Sequence, residues 1–142
     1  MASIEDITAD FEFLTDWEER YRHVIELGKG LAPLNPQEHN DQTKVRGCVS
    51  QVWLVAEPKP GPDPQITFRG DSDAHIVRGL IAILFALYAH KHAKEILATD
   101  ARGVLHSLGL DTHLSPQRSN GLFAMVDRIR AEAARVLELQ GA

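Results

Sequence analysis

The sequence predicts an α+β fold in which helices cover a small antiparallel three-stranded sheet, with residues 1–142 forming one domain. Three observations lead there. Apolar residues recur at helical spacing in both halves of the chain. The stretch between residues 51 and 69 is instead rich in β-branched and aromatic residues. Pro58, Pro60, Gly61, Pro62 and Pro64 interrupt that stretch where a hairpin would turn.

The elements follow in order. Ser3 and Asp6 have the spacing of a capping box, with Ile7, Phe11 and Leu14 on one helical face behind them. Thr15 and Glu18 repeat the signal, and Trp17, Tyr21, Val24 and Ile25 form the next apolar stripe, which Gly28 is placed to end. From Lys29 to Gln42 the periodicity disappears into a loop marked by Pro33, Asn35, Pro36, Asn40 and Asp41. Gln51 to Ala56 and Gln65 to Arg69 read as the two arms of a hairpin, and Thr43 to Arg46 as a third strand. Gly70-Asp71-Ser72 reads as a strand stop and helix cap. The helix predicted from Asp73 to Tyr88 is apolar nearly all round beyond Leu80, the pattern of a helix buried inside a domain. Shorter helices are predicted at Lys91–Ala98 and Ala101–Leu108. Ser115-Pro116 opens the last helix, with Leu122, Met125, Val126, Ile129, Ala133 and Val136 towards the core.

Composition narrows the function. A formal net charge of -5 argues against nucleic acid as the main partner, because counterion release requires clustered Lys and Arg. A single cysteine rules out an internal disulfide, and a free thiol suits a reducing compartment. The acidic start, Ser3-Ile4-Glu5-Asp6, lacks the basic and apolar regions of a signal peptide. The longest apolar run, Leu80 to Ala89, is about half of the roughly 20 residues a membrane span requires. A cytoplasmic protein with no membrane partner is expected.

The chemistry centres on Cys48, in Lys44-Val45-Arg46-Gly47-Cys48-Val49-Ser50. Gly47 permits a turn that projects the cysteine, while Arg46 and Lys44 are placed to favour the thiolate, the nucleophilic form. A small buried hydrophobe is the plainer reading of a lone cysteine. A dithiol cycle requires a second cysteine, which the chain lacks. Thiolate attack on a sulfur carried by another protein remains open, as does a cysteine hydrolase with a histidine base. Metal binding is poorly supported: there is no cysteine pair and no H-E-x-x-H, and His90 and His92 are two residues apart. Gly70-Asp71-Ser72-Asp73 lacks the lysine of a P-loop. Asp71, Asp73 and Arg118 are candidates for contact with a partner, Arg118 because an arginine in the first turn opposes the helix dipole unless it is paired.

Arg46-Gly47-Cys48-Val49-Ser50-Gln51-Val52-Trp53-Leu54 resembles the cysteine-bearing motif of the SufE family. Gly70-Asp71-Ser72-Asp73-Ala74 with Ile76-Val77-Arg78-Gly79-Leu80 is similar to its second motif, and His113 to Leu122 to its third. Asp16 to Tyr21 and Ile25 to Gly28 fit its N-terminal helix. The resemblance implies a fold like that of IscU-type cluster scaffolds. It also implies a carrier, not an enzyme, in which Cys48 accepts persulfide sulfur from a SufS-type cysteine desulfurase, stimulates that enzyme, and passes sulfur to a SufB-containing scaffold for iron–sulfur cluster assembly. Arg46, Gly47 and Gln51 would shape the cysteine loop. The pyridoxal phosphate belongs to the desulfurase, so no cofactor is expected on this chain, which would act as a monomer or weak homodimer. A CsdE-type acceptor serving a different desulfurase shares the architecture. One thiolate cannot supply the usual four ligands of a cluster, so the residue count suits a carrier and not a scaffold.

Overall fold

A computed structural model describes residues 2–141. Helices α1 (Ile4–Phe13) and α2 (Trp17–Gly28) come first, followed by a 3-10 turn η1 (Pro36–Glu38). The hairpin β1 (Val52–Pro58) and β2 (Ile66–Ser72) follows, and then α3 (His75–Leu87), α4 (Ala93–Ala98), α5 (Ala101–Ser107), α6 (Leu110–His113) and α7 (Pro116–Gly141). The fold is α+β, as expected.

The capping box forms at Ser3 and Asp6. The second cap is Asp16, one residue beyond the predicted Thr15; its Oδ1 accepts the Glu18 N–H at 3.2 Å. Arg20 of α2 donates to the carbonyls of Leu14 and Phe11, at 2.5 and 2.6 Å, and so closes the end of α1. Gly28 does end α2, but not by adopting a left-handed conformation. Its role is close approach: a Cβ there would lie 2.6 Å from the Gly79 N of α3. α3 itself is buried through Leu80, Ile81, Ala82, Ile83 and Leu84, as its apolar composition predicts.

β1 and β2 pair antiparallel from Val52↔Ser72 to Pro58↔Ile66, and among the described residues this is a two-stranded sheet. The predicted third strand at Thr43–Arg46 is reduced to one isolated bridge, Lys44↔Trp53. Its outer edge finds no further strand, so the ladder does not propagate. β2 continues through Gly70, Asp71 and Ser72, which therefore do not stop the strand. The predicted cap does not form either: the N-cap position of α3 is Ala74, with no side-chain cap, and Ser72 Oγ only fixes the approach by accepting the Ala74 N–H at 3.2 Å. α4 begins at Ala93 rather than Lys91, because His90 has φ 62 and the chain turns there.

Arg69 of β2 ties the hairpin to η1 by donating to both Glu38 oxygens and to Glu57. The Arg69 guanidinium, with the Asn35 N–H, holds the Glu38 carboxyl at about 2, against an ordinary 4.5. A carboxylate with a depressed folded pKa adds stability that is present above its ordinary value and is lost as pH falls towards the folded one. Urea midpoints of the wild type are therefore expected to decline between pH 4.5 and about 2. Glu38→Gln should flatten part of that decline.

Candidate functional site

Cys48 lies in the loop that leads into β1, between two structural anchors. Gly47 supplies the bend with φ +91, in the left-handed region that favours glycine. On the far side Asp73, just after β2, clasps Gln51. Its Oδ1 accepts the Gln51 N–H at 3.0 Å, while the Asp73 N–H donates to the Gln51 carbonyl at 3.3 Å. The loop tip is left to lean against the start of α7.

There Cys48 is partly buried, and its Sγ lies 3.6 Å from the Gly121 carbonyl, within reach of an S–H donor. A Cβ at Gly121 would meet that sulfur at 3.5 Å, an ordinary van der Waals contact, so the thiol rests directly on the helix. The sulfur opens on a cavity of about 130 Å³, lined by Val77 and Leu80 of α3 and by Gly121, Leu122 and Met125 of α7, with Arg118 and Gln117 at its polar side. Burial pushes the Cys48 thiol up from its ordinary value. The resting side chain is therefore a protected thiol and not an activated thiolate. The predicted assistance from Lys44 and Arg46 is not what governs it; Arg46 is exposed at the surface.

Leu80 lines the cavity, but Val52 does not. Val49 borders the cavity yet is 76% exposed, an apolar side chain held in water beside the cysteine. Val77 and Met125 read in the sequence only as periodic core residues, and Gly121 had no local signal beyond lying in the third motif.

The three docking candidates are not alike. Asp71 is committed within the chain, 3.2 Å from Arg78 Nε and 3.5 Å from His39 Nε2. Asp73 is exposed but holds the loop. Arg118 stands at the cavity mouth, where its Nη1 donates to the Tyr21 hydroxyl at 3.0 Å. The pairing that sequence reasoning demanded is thus with a phenol and not a carboxylate. Tyr21 reaches it because α2 packs on α6, where Trp17 stacks on His113 with ring centroids 4.4 Å apart.

Among the described residues no histidine lines the cavity, where the hydrolase reading requires a base. Among the described residues no group of three or more His, Cys, Asp or Glu is arranged for a metal. Nor is any helix there long and apolar enough to cross a membrane.

The family model described as SufE, Fe-S metabolism associated domain, matches residues 5–133. An uncharacterized SufE-like protein of Rhizobium etli is 55% identical over 134 residues, covering 94% of this chain and 90% of the relative. A second, from Rhizobium meliloti, is 50% identical over 134 residues, covering 94% and 96%. A solution structure of a hypothetical protein from Thermus thermophilus superposes with a TM-score of 0.75 at 19% identity, over 95% of this chain and 96% of that one, and so shares the fold. With the family model spanning most of its length and two relatives this similar, the chain belongs to the SufE family, a family associated with iron–sulfur metabolism.

Proposed function

We propose that the protein accepts sulfur on Cys48 from the persulfide of a SufS-type cysteine desulfurase and delivers it to a SufB-containing scaffold. The observation that carries this reading is the setting of Cys48: a lone thiol on a glycine-hinged loop, packed over an apolar cavity and flanked by the exposed Val49. A thiol kept protonated and sheltered is poorly reactive towards oxidants, which protects a carrier between cycles. Docking would draw the loop tip outward, and in a wetter, more polar setting the thiol ionises more readily.

In the transfer, the Cys48 thiolate attacks the outer sulfur of the desulfurase persulfide. One S–S bond forms at Cys48 and one breaks on the enzyme. The enzyme's cysteine leaves as a thiolate and takes up the equivalent of the proton that Cys48 lost, so no external oxidant or reductant is consumed. The cavity, at about 130 Å³, is several times the ~30 Å³ that one water occupies in the liquid, so a second sulfur fits when the loop returns. The pyridoxal phosphate chemistry stays on the partner, and this chain contributes a nucleophile and a shelter.

The test is direct. After incubation with a desulfurase and cysteine, the intact protein should gain about 32 Da, one sulfur, removable by reductant. No gain while the desulfurase itself turns over would overturn the reading.

A further inference from the structure

The segment Gln42–Val45 leaves a turn, in which the Lys44 N–H donates to the Asn40 carbonyl at 3.0 Å, and meets β1 on one side through the Lys44↔Trp53 bridge. Its inward groups bond to β1: the Leu54 N–H donates to the Thr43 carbonyl and the Val45 N–H to the Val52 carbonyl, both at 2.8 Å. Its outward carbonyls, those of Gln42 and Lys44, meet no strand. They accept instead from one guanidinium on α7. Arg128 Nη2 donates to the Gln42 carbonyl at 2.5 Å, and Nη1 to the Lys44 carbonyl at 3.0 Å. Glu132, one turn on, accepts from Nε of the same group at 3.3 Å, and Arg135 donates to Glu132 at 2.8 Å.

Arginine suits this edge because its planar fork presents several donors in fixed geometry, and charged donors make stronger bonds than neutral ones. The bonds fall four and six residues before Cys48. Arg128 also follows Gly121 and Met125 along one face of α7, at helical spacing. The helix that walls the cysteine cavity therefore grips the root of the cysteine loop as well.

We infer that Arg128 is a positioning residue for the cysteine loop: by pinning Gln42 and Lys44 to α7 it confines loop movement to the stretch between Val45 and the Asp73–Gln51 clasp, and so sets how often Cys48 leaves its cavity. The inference deepens the acceptor reading and rests on it for its biological consequence. Without the pin, the root is held only by its two bonds to β1 and by the Asn40 turn, and open conformers gain population.

The experiment alkylates Cys48 with excess iodoacetamide in the free protein, followed by intact mass, with urea midpoints measured on the same samples. Arg128→Met is expected to react at least about tenfold faster than wild type, the factor that losing one charge-assisted bond corresponds to in a loop equilibrium. Arg128→Lys, which keeps the charge but not the fork, should fall between the two. Arg130→Met is the control, because it removes a comparable bond from α7 to the Leu97 carbonyl at 2.8 Å, away from the loop. It should react at the wild-type rate. An Arg128→Met rate within about twofold of wild type overturns the inference, since that is far below the expected shift. So does an Arg130→Met rate as fast as that of Arg128→Met. If Arg128→Met does not fold, Arg128→Lys is read in its place, and a wild-type rate there overturns it too. Failure of the acceptor reading is separate: it appears as a missing persulfide on the wild type and leaves this alkylation comparison intact.

Discussion

Cys48→Ser is expected to lose sulfur acceptance entirely, with no 32-Da gain above background, while the fold remains. The loss follows from chemistry, because a serine oxygen does not form a persulfide under these conditions and the chain has no other thiol. Retention of the fold follows from geometry. The side chain is only partly buried, so a serine hydroxyl can be satisfied by water, although the Gly121 carbonyl that Cys48 Sγ faces at 3.6 Å is too far for an O–H donor. The expected stability change is about 1 kcal/mol or less, measured as a urea midpoint. Sulfur uptake by the variant equal to wild type would remove Cys48 from its role. A collapse in stability would instead make it a core residue, the plainer reading of a lone cysteine.

Gly79→Ala should have the largest effect on folding of any single methyl addition considered. A Cβ at residue 79 would lie 2.0 Å from the Val24 carbonyl oxygen and 2.6 Å from its carbon, so α2 and α3 touch backbone to backbone. Helices usually pack with axes about 8–10 Å apart, separated by side chains. Glycine removes those side chains, and no rotamer change can relieve a clash with backbone. Alanine improves helix propensity by about 1 kcal/mol over glycine, which works in the opposite direction. Overpacking against a rigid neighbour exceeds that gain, and a net loss of about 3 kcal/mol is expected in urea unfolding. Because α3 carries Val77 and Leu80, the same variant should also expose Cys48 to alkylation. An unchanged midpoint would mean that the two helices separate freely.

Sequence reasoning reached what local rules determine. The capping box at Ser3, the proline-opened α7 and the buried α3 each depend on residues close together in the chain, and each formed. The third strand failed because a strand is a property of its partners: Thr43–Val45 finds β1 on one edge and an arginine on the other. Glycines were legible as glycines but not by role. Gly47 does adopt positive φ, whereas Gly28 and Gly79 serve close approach, which only the packed helices reveal. Within the site, Cys48 stood out as the lone thiol beside a glycine. Its lining did not, because Val77, Leu122 and Met125 carry the same periodic signal as any core residue. The contacts of Arg118 with Tyr21 and of Arg128 with Lys44 span 97 and 84 residues, and no spacing rule reaches that far.

The central claim is that Cys48 is sheltered at rest and delivered on docking. The measurement closest to it is the alkylation rate of Cys48 with and without a saturating desulfurase whose own acceptor cysteine has been replaced. The free protein should react slowly, well below its urea-unfolded form, and the rate should rise about tenfold or more in the complex, as expected when docking supplies the cost of local opening. A rate that is the same in both states, whether uniformly fast or uniformly slow, would contradict the claim.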